Sequence, residues 1–199
     1  MIDLPDYPSP VGASPGLIDF GAFLTPALGG PVQRVERMGN RFKLSVSMPP
    51  MNSPTLGRQW VAKLIQGKQE GARMEWPLNG FDPGSPGDIK VAGAGQSGRT
   101  LNVDGATPNY PFREGQFFSI EQAGQHFLYM VTTEVLASDT VAGTATLQLE
   151  PMLRVSPPDN AVCHFGRPMI EGFILGDSFA WELALAHFVG ISFDLVETQ

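Results

Sequence analysis

Residues 38–52, MGNRFKLSVSMPPMN, carry the most regular alternation in the chain. Phe42, Leu44, Val46 and Met48 fall on one side of an extended segment and Arg41, Lys43, Ser45 and Ser47 on the other, which predicts a half-buried β-strand. Pro49 and Pro50 withhold backbone donors and end it. Just upstream, VQRVERM followed by Gly39-Asn40 reads as the first arm of a β-hairpin. A two-residue loop there sets Val35 opposite Leu44 and Glu36 opposite Lys43, an apolar pair on one face and an ion pair on the other. Before the hairpin, Leu17 to Leu28 is a strand-like apolar run closed by the turn Gly29-Gly30-Pro31.

After the prolines the period changes. Ser53 as N-cap and Pro54 at the first helical position predict a helix over 54–66, with Leu56, Trp60, Val61 and Leu64 as its apolar stripe and Gly67 as its stop. ARMEWP alternates again, with Ala72, Met74 and Trp76 on one face, and NGFDPGSPGD then breaks regular structure. From about Lys90 to Phe165 the pattern is short strands and tight turns: RTLNV, GQFFSIE, HFLYMVTTEV, TATLQLEP and AVCHF. This predicts a small antiparallel barrel or sandwich. The closing segments EGFIL and ISFDLVE need partners, and the simplest ones lie in the sheet of residues 17–76.

The expected fold is therefore mostly β with one helix. Residues 1–16 form an extended arm, since Pro5, Pro8, Pro10 and Pro15 deny it ladder bonds of its own. Residues 17–87 together with 166–199 form a β-sandwich flanked by the helix. Residues 88–165 form an inserted antiparallel β-barrel, expected to be removable because its flanks are rich in Gly and Pro.

Composition narrows the function classes. With 199 residues the chain can bury a real core, and 23 Gly and 18 Pro against 17% charged residues suit many short strands joined by turns. A net charge of −7 without a run of Lys or Arg argues against tight binding of phosphate backbones. The single cysteine, Cys163, offers neither an internal disulfide nor a cysteine-based zinc pattern. MIDLPDYPSP lacks the features of a signal peptide, and the most apolar stretch, AWELALAHFVGISF, is interrupted by Glu182 and His187, so neither a leader nor a membrane span is expected.

Candidate chemistry adds little. Gly93-Ala94-Gly95-Gln96-Ser97-Gly98 fits G-x-G-x-x-G, but it runs on into the strand-like RTLNV where a dinucleotide site needs a helix, so it reads as a loop. Cys163 and His164 are neighbours in a strand and face opposite ways, which prevents them from sharing a metal or acting as a nucleophile-base pair. His126, His164 and His187 are scattered, with neither a metal-ligand spacing nor a triad signature. Glu121, Glu134 and Glu150 sit near strand ends as ordinary solvated groups. No catalytic, cofactor-binding or metal-ligating residue is singled out, and an enzyme is not expected. The rival reading is a carbohydrate-binding barrel using Phe117, Phe118, Phe127 and Tyr129, although adjacent Phe117 and Phe118 cannot both face one groove. A hydrolase ranks third.

The order of arm, Pro-Pro strand, helix, strand, inserted barrel and closing strands resembles the tail proteins of long, non-contractile-tailed bacteriophages and prophages, especially distal tail proteins. The resemblance is carried by Val35 to Met51 leading into the helix with Trp60, by LQLEPMLRVSPPDNAVCHFGRPM at 147–169, and by FVGISFDLVE at 188–197. It matches the family's acidic-proline step and later Arg-Pro with Glu150, Pro151, Arg154, Arg167 and Pro168. It implies a tail-tube-like sheet, a homo-oligomeric ring, most simply a hexamer, around the DNA channel, and no catalytic residues. Tail tube and tail-tip hub or fibre proteins are the implied partners, the virion tail tip the implied location, and the bacterial cytoplasm the site of assembly. A tube or tail-completion protein is the alternative in that setting. Within such a ring the strand at 41–51 would meet a neighbour through Arg41, Lys43, Ser45, Ser47, Pro49, Pro50 and Met51.

Overall fold

The structure is a computed structural model describing residues 1–184 and 187–198. Leu185 and Ala186, in the apolar stretch at 180–193, and Gln199 lie outside the described residues. Strands β1 (Ile2–Asp3), β2 (Gly12–Ile18), β3 (Ala22–Leu24), β4 (Gln33–Val35), β5 (Arg41–Ser47) and β6 (Met51–Asn52) lead through a π-helical turn, Ser53–Gly57, into α1 (Arg58–Glu70). Then come β7 (Ala72–Glu75), β8 (Gly87–Val91), β9 (Gly98–Ala106), β10 (Phe117–Gln122), β11 (Gln125–Val131), β12 (Ala145–Leu153) and β13 (Val162–His164). The chain closes with β14 (Met169–Ile174), β15 (Glu182–Ala184), β16 (Phe188–Gly190) and β17 (Ser192–Glu197). It is mostly β with one α-helix, and no described helix is long and apolar enough to cross a membrane.

Strands β8 to β13 close into an antiparallel barrel in the order β10-β11-β12-β9-β8-β13. Its interior is filled by alternate residues such as Val91, Leu101, Phe118, Tyr129, Leu149 and Phe165, all buried. The main sheet has the order β1-β7-β14-β17-β5-β2 and draws its strands from both sides of the barrel in sequence. Its apolar face, including Leu44, Met74, Ile170 and Leu195, is covered by Trp60 and Leu64 of α1 and by Leu128, Phe117 and Met130 of the barrel wall. Phe117 packs edge-on against Phe42, with ring centroids 5.4 Å apart, and lies 4.9 Å from Trp76.

The alternation at 41–48 is realised: Phe42, Leu44, Val46 and Met48 are buried while Lys43 and Ser47 are exposed. Its partner is not the segment expected. The hairpin through Gly39-Asn40 does not form. β4 pairs with β3, setting Val35 opposite Ala22, and β5 lies between β2 and β17, so that Leu44 faces Pro15 on one side and Leu195 on the other. Glu36 bonds Arg99 instead of Lys43. A two-stranded ribbon buries little, whereas insertion between two strands lets both backbone edges of β5 pair and seals its apolar face.

The arm at 1–16 also joins the ladders. Ile2–Asp3 pairs in parallel with β7, and Gly12–Ile18 runs along the whole of β5. Pro5, Pro8 and Pro10 fall in the connection between them, and Pro15 sits in β2, the outermost strand of the sheet, where a missing donor is tolerated. The helix runs further than its first glycine. Gly67 is buried within α1, where a Cβ would come within 3.0 Å of that of Ala72, and the chain turns out at Gly71 with φ 83°. Ser53 makes no capping bond to the helix backbone.

Candidate functional site

Two surfaces could carry function: the polar face of the main sheet with its neighbouring ribbon, and a polar cluster where barrel and sheet meet.

On the sheet's outer face, small polar residues line up across three strands. Gly12, Ser47 and Ser192 form one row and Ser14, Ser45 and Asp194 the next, bordering a shallow groove of about 260 Å³. Lys43 follows beside Gly16 and Val196. Of the residues expected to meet a neighbour, Lys43, Ser47 and Pro50 are exposed and Ser45 and Pro49 half-buried. Arg41 lies over the Phe20 ring, 4.9 Å from its centroid. Met51 is the exception. It pairs through β6 with Val189 and is buried in the core, because the Pro-Pro step turns it inward, so it cannot serve as a contact surface.

Beside this face, β3 and β4 form a ribbon hydrogen-bonded to no other strand among the described residues. Its base is held by exposed ion pairs, Asp19 with Arg34 and Glu36 with Arg99, both 2.8 Å. Phe23, Leu24, Leu28, Val32 and Met38 are all exposed, Leu28 fully at 101%. A second apolar group, Phe173, Leu175, Trp181, Leu183 and Phe188, is exposed on β14 to β16 and their connection. The sequence pattern puts β4 in a hairpin with β5 and β3 in a strand-like run at 17–28, so the ribbon is not expected as a surface.

At the junction, Glu121, His126 and His164 each bring a ligand-capable atom within 4.8 Å of the others. The β10–β11 turn places two of them. Ala123 and Gly124 both have positive φ, 52° and 78°, the conformation of a tight two-residue hairpin, and this sets Glu121 opposite His126. β13 then pairs with β10 so that Ser119 faces His164. His164 Nε2 lies 3.0 Å from Glu121 Oε2, and this contact holds the Glu121 carboxyl below its usual pKa. His126 Nδ1 lies 3.2 Å from Ser119 Oγ, which also accepts the Met169 amide. Burial, seconded by the neighbouring His164 and Arg73, lowers the His126 pKa to about 4. Ser119 is fully buried, so a substrate cannot reach its hydroxyl despite the Ser-His contact.

Neither a protein-family model nor a curated protein matches the chain. The junction must be read from its own chemistry.

Beneath the cluster lie two buried carboxylates from the main sheet. Glu171 accepts the His126 amide at 3.3 Å, with Arg73 3.5 Å away, and burial raises its pKa. Glu197 accepts the amides of Phe42 (2.7 Å) and Leu128 (2.8 Å) and pairs with Arg154 at 2.7 Å. Arg154 also lies over Tyr129 and Phe127 of the barrel, about 5.5 Å from each ring centroid. The residues that carried the family resemblance are thus joints: Arg154 binds β17 to the barrel, Arg167 pairs with Asp6 and Glu75, Glu150 pairs with Arg99, and the Pro168 carbonyl accepts the Trp76 amide. Excising 88–165 would remove Leu128 from the sheet core and leave Glu197 buried without its cation.

The other sequence candidates stay apart from this cluster. Cys163 faces the barrel interior, where burial pushes its thiol up to about 12, and His187 lies on the turn before β16. Gly93 to Ser97 form the loop between β8 and β9, with Gly98 opening β9, and no helix follows. Gln96 braces that loop through the Ala92 and Gly93 carbonyls and the Asn102 amide. Phe118, Phe127 and Tyr129 are core residues of the barrel and Phe117 packs into the sheet core, so these four rings offer no sugar a stacking surface. Glu134 is exposed.

Proposed function

We propose that this protein is a structural component of a phage tail tip that assembles as a homo-oligomeric ring, most simply a hexamer, between the tail tube and the hub or fibre proteins. The observation that carries the reading is the β3–β4 ribbon, which has no third strand among the described residues and presents exposed Phe23, Leu24 and Leu28. A two-stranded ribbon is marginal in water alone, and large apolar side chains left exposed on both of its faces suit burial against a partner. The occupant we assign is the next copy of the chain, since the second exposed apolar group, Phe173, Leu175, Trp181, Leu183 and Phe188, offers apolar side chains for a head-to-tail contact that closes a ring. The sheet's serine-rich face, with Lys43 balanced by Asp194, suits a lumen that DNA passes without sticking.

Electron microscopy of the purified protein tests this directly. Rings with a central hole are expected, and Phe23→Ser with Leu28→Ser should yield monomers with an unchanged circular dichroism spectrum. A wild-type protein that stays monomeric at high concentration would sink the assembly reading. Labelled antibody binding away from the tail tip of virions would sink the location.

A further inference from the structure

The junction cluster goes beyond assembly. We propose that Glu121, His126 and His164 form a binding site for a divalent transition-metal ion of the zinc type, fastening three barrel strands beside the main sheet.

The donor set comes first. Two imidazoles and a carboxylate are ligands that zinc accepts in three-residue sites, with the remaining position left to water or another donor. The three residues stand on β10, β11 and β13, adjacent strands of one closed barrel, so their backbones are fixed by ladder bonds rather than carried on a loop. Ligand atoms around a tetrahedral zinc lie roughly 3.4 Å apart, given bonds of about 2.1 Å. His164 and Glu121 are already at 3.0 Å, and all three atoms fall within 4.8 Å. The remaining adjustment falls to His164 and Glu121, whose side chains are partly exposed at 32% and 40%, while His126 is buried and held.

The surroundings support a cation. Ser119 Oγ can accept a hydrogen bond from His126 Nδ1–H, which fixes the tautomer with its lone pair on Nε2, the kind of outer contact that orients ligating histidines. Arg73 is the nearby positive charge, and it is neutralised by Asp3 at 2.8 Å and Glu171 at 3.5 Å. With both histidines neutral, Glu121, Glu171, Asp3 and Arg73 leave the pocket net negative. Hard ions such as magnesium prefer all-oxygen shells and gain nothing from two imidazoles. Glu121 and His164, both partly exposed, leave the site reachable from solvent.

The test uses the full chain stripped with a chelator and titrated with zinc chloride by calorimetry. One ion per chain with micromolar or tighter affinity is expected, together with a rise in melting temperature that magnesium at the same concentration does not produce. His164→Ala and Glu121→Ala should each weaken zinc binding by at least about tenfold while keeping the metal-free spectrum, since both side chains are at the surface. Cobalt substituted for zinc should give visible absorption in the wild type that is lost in His164→Ala. Affinity weaker than millimolar, or zinc binding unchanged in both variants, would overturn the proposal, the second outcome placing the ion elsewhere.

Discussion

The barrel and the β3–β4 ribbon are both made of short strands carrying large apolar residues and arrive at opposite ends. Every strand of the barrel has two neighbours, and its large exposed hydrophobics are limited to Leu136, Val141, Val155 and Val162. Among the described residues the ribbon's two strands have only each other, and Phe23, Leu24 and Leu28 face solvent. Apolar side chains alone do not bury a strand; closure does. A closed ring of strands turns one whole face inward, whereas two strands cannot enclose anything. The main sheet stands between these extremes, sealed on one face by α1 and the barrel wall and open at its β2 edge.

The sharpest way to break this comparison is to reverse a sealed position and an open one in the same strand. Leu44 is completely buried and Lys43 exposed. Leu44→Asp is expected to abolish soluble folding, because an unpaired buried carboxylate costs several kcal/mol, about the whole stability of a domain. Lys43→Asp should leave the melting curve almost unchanged. Equal melting temperatures would refute the face assignment.

Next comes the joint between the two units. Arg154→Ala leaves Glu197 buried with two amides but no cation, a loss of about 3–5 kcal/mol for such pairs. Denaturant unfolding should show that loss, and Arg167→Ala, whose pairs with Asp6 and Glu75 are exposed, should cost under about 1 kcal/mol. Similar costs for the two would mean that the joint is held by packing alone.

A smaller effect follows from pH. His126 has a folded pKa of about 4 against an ordinary 6.5, so the unfolded chain binds more protons between those values. Stability from this group is fully present above pH 6.5 and is lost as pH falls toward 4, by on the order of 3 kcal/mol. Glu171 acts with the opposite sign: its raised pKa gives stability at low pH that is lost as pH rises through the folded value. In chelator-treated protein, His126→Gln should flatten the fall between pH 6.5 and 4. An unchanged slope would assign the acid sensitivity to another group.

Much of the candidate site could be read locally. Gln122-Ala123-Gly124-Gln125 is a tight-turn sequence, and once it is taken as a two-residue loop Glu121 must face His126. His164, 38 or more residues further on, could not be placed, since its position depends on which strand closes the barrel against β10. The same limit explains the hairpin through Gly39-Asn40. A turn signal and a matching pattern were present, but β5 could gain two long neighbours, β2 and β17, and their combined burial outweighs one local loop.

What the chain determines by itself is the face of each element. The alternation of Phe42 to Met48 and the barrel strands bury the residues their periods mark, and of the helix stripe Trp60 and Leu64 are buried and Leu56 and Val61 half-buried, because that preference is local and repeats every two or 3.6 residues. What only the tertiary structure decided is who stands beside whom. Strand partners, the entry of the proline-rich arm into the main sheet, the inward turn of Met51 and the meeting of Glu121, His126 and His164 depend on contacts between distant segments. Backbone hydrogen bonds are the same for every pair of strands, so the choice falls to total burial, which no single segment contains.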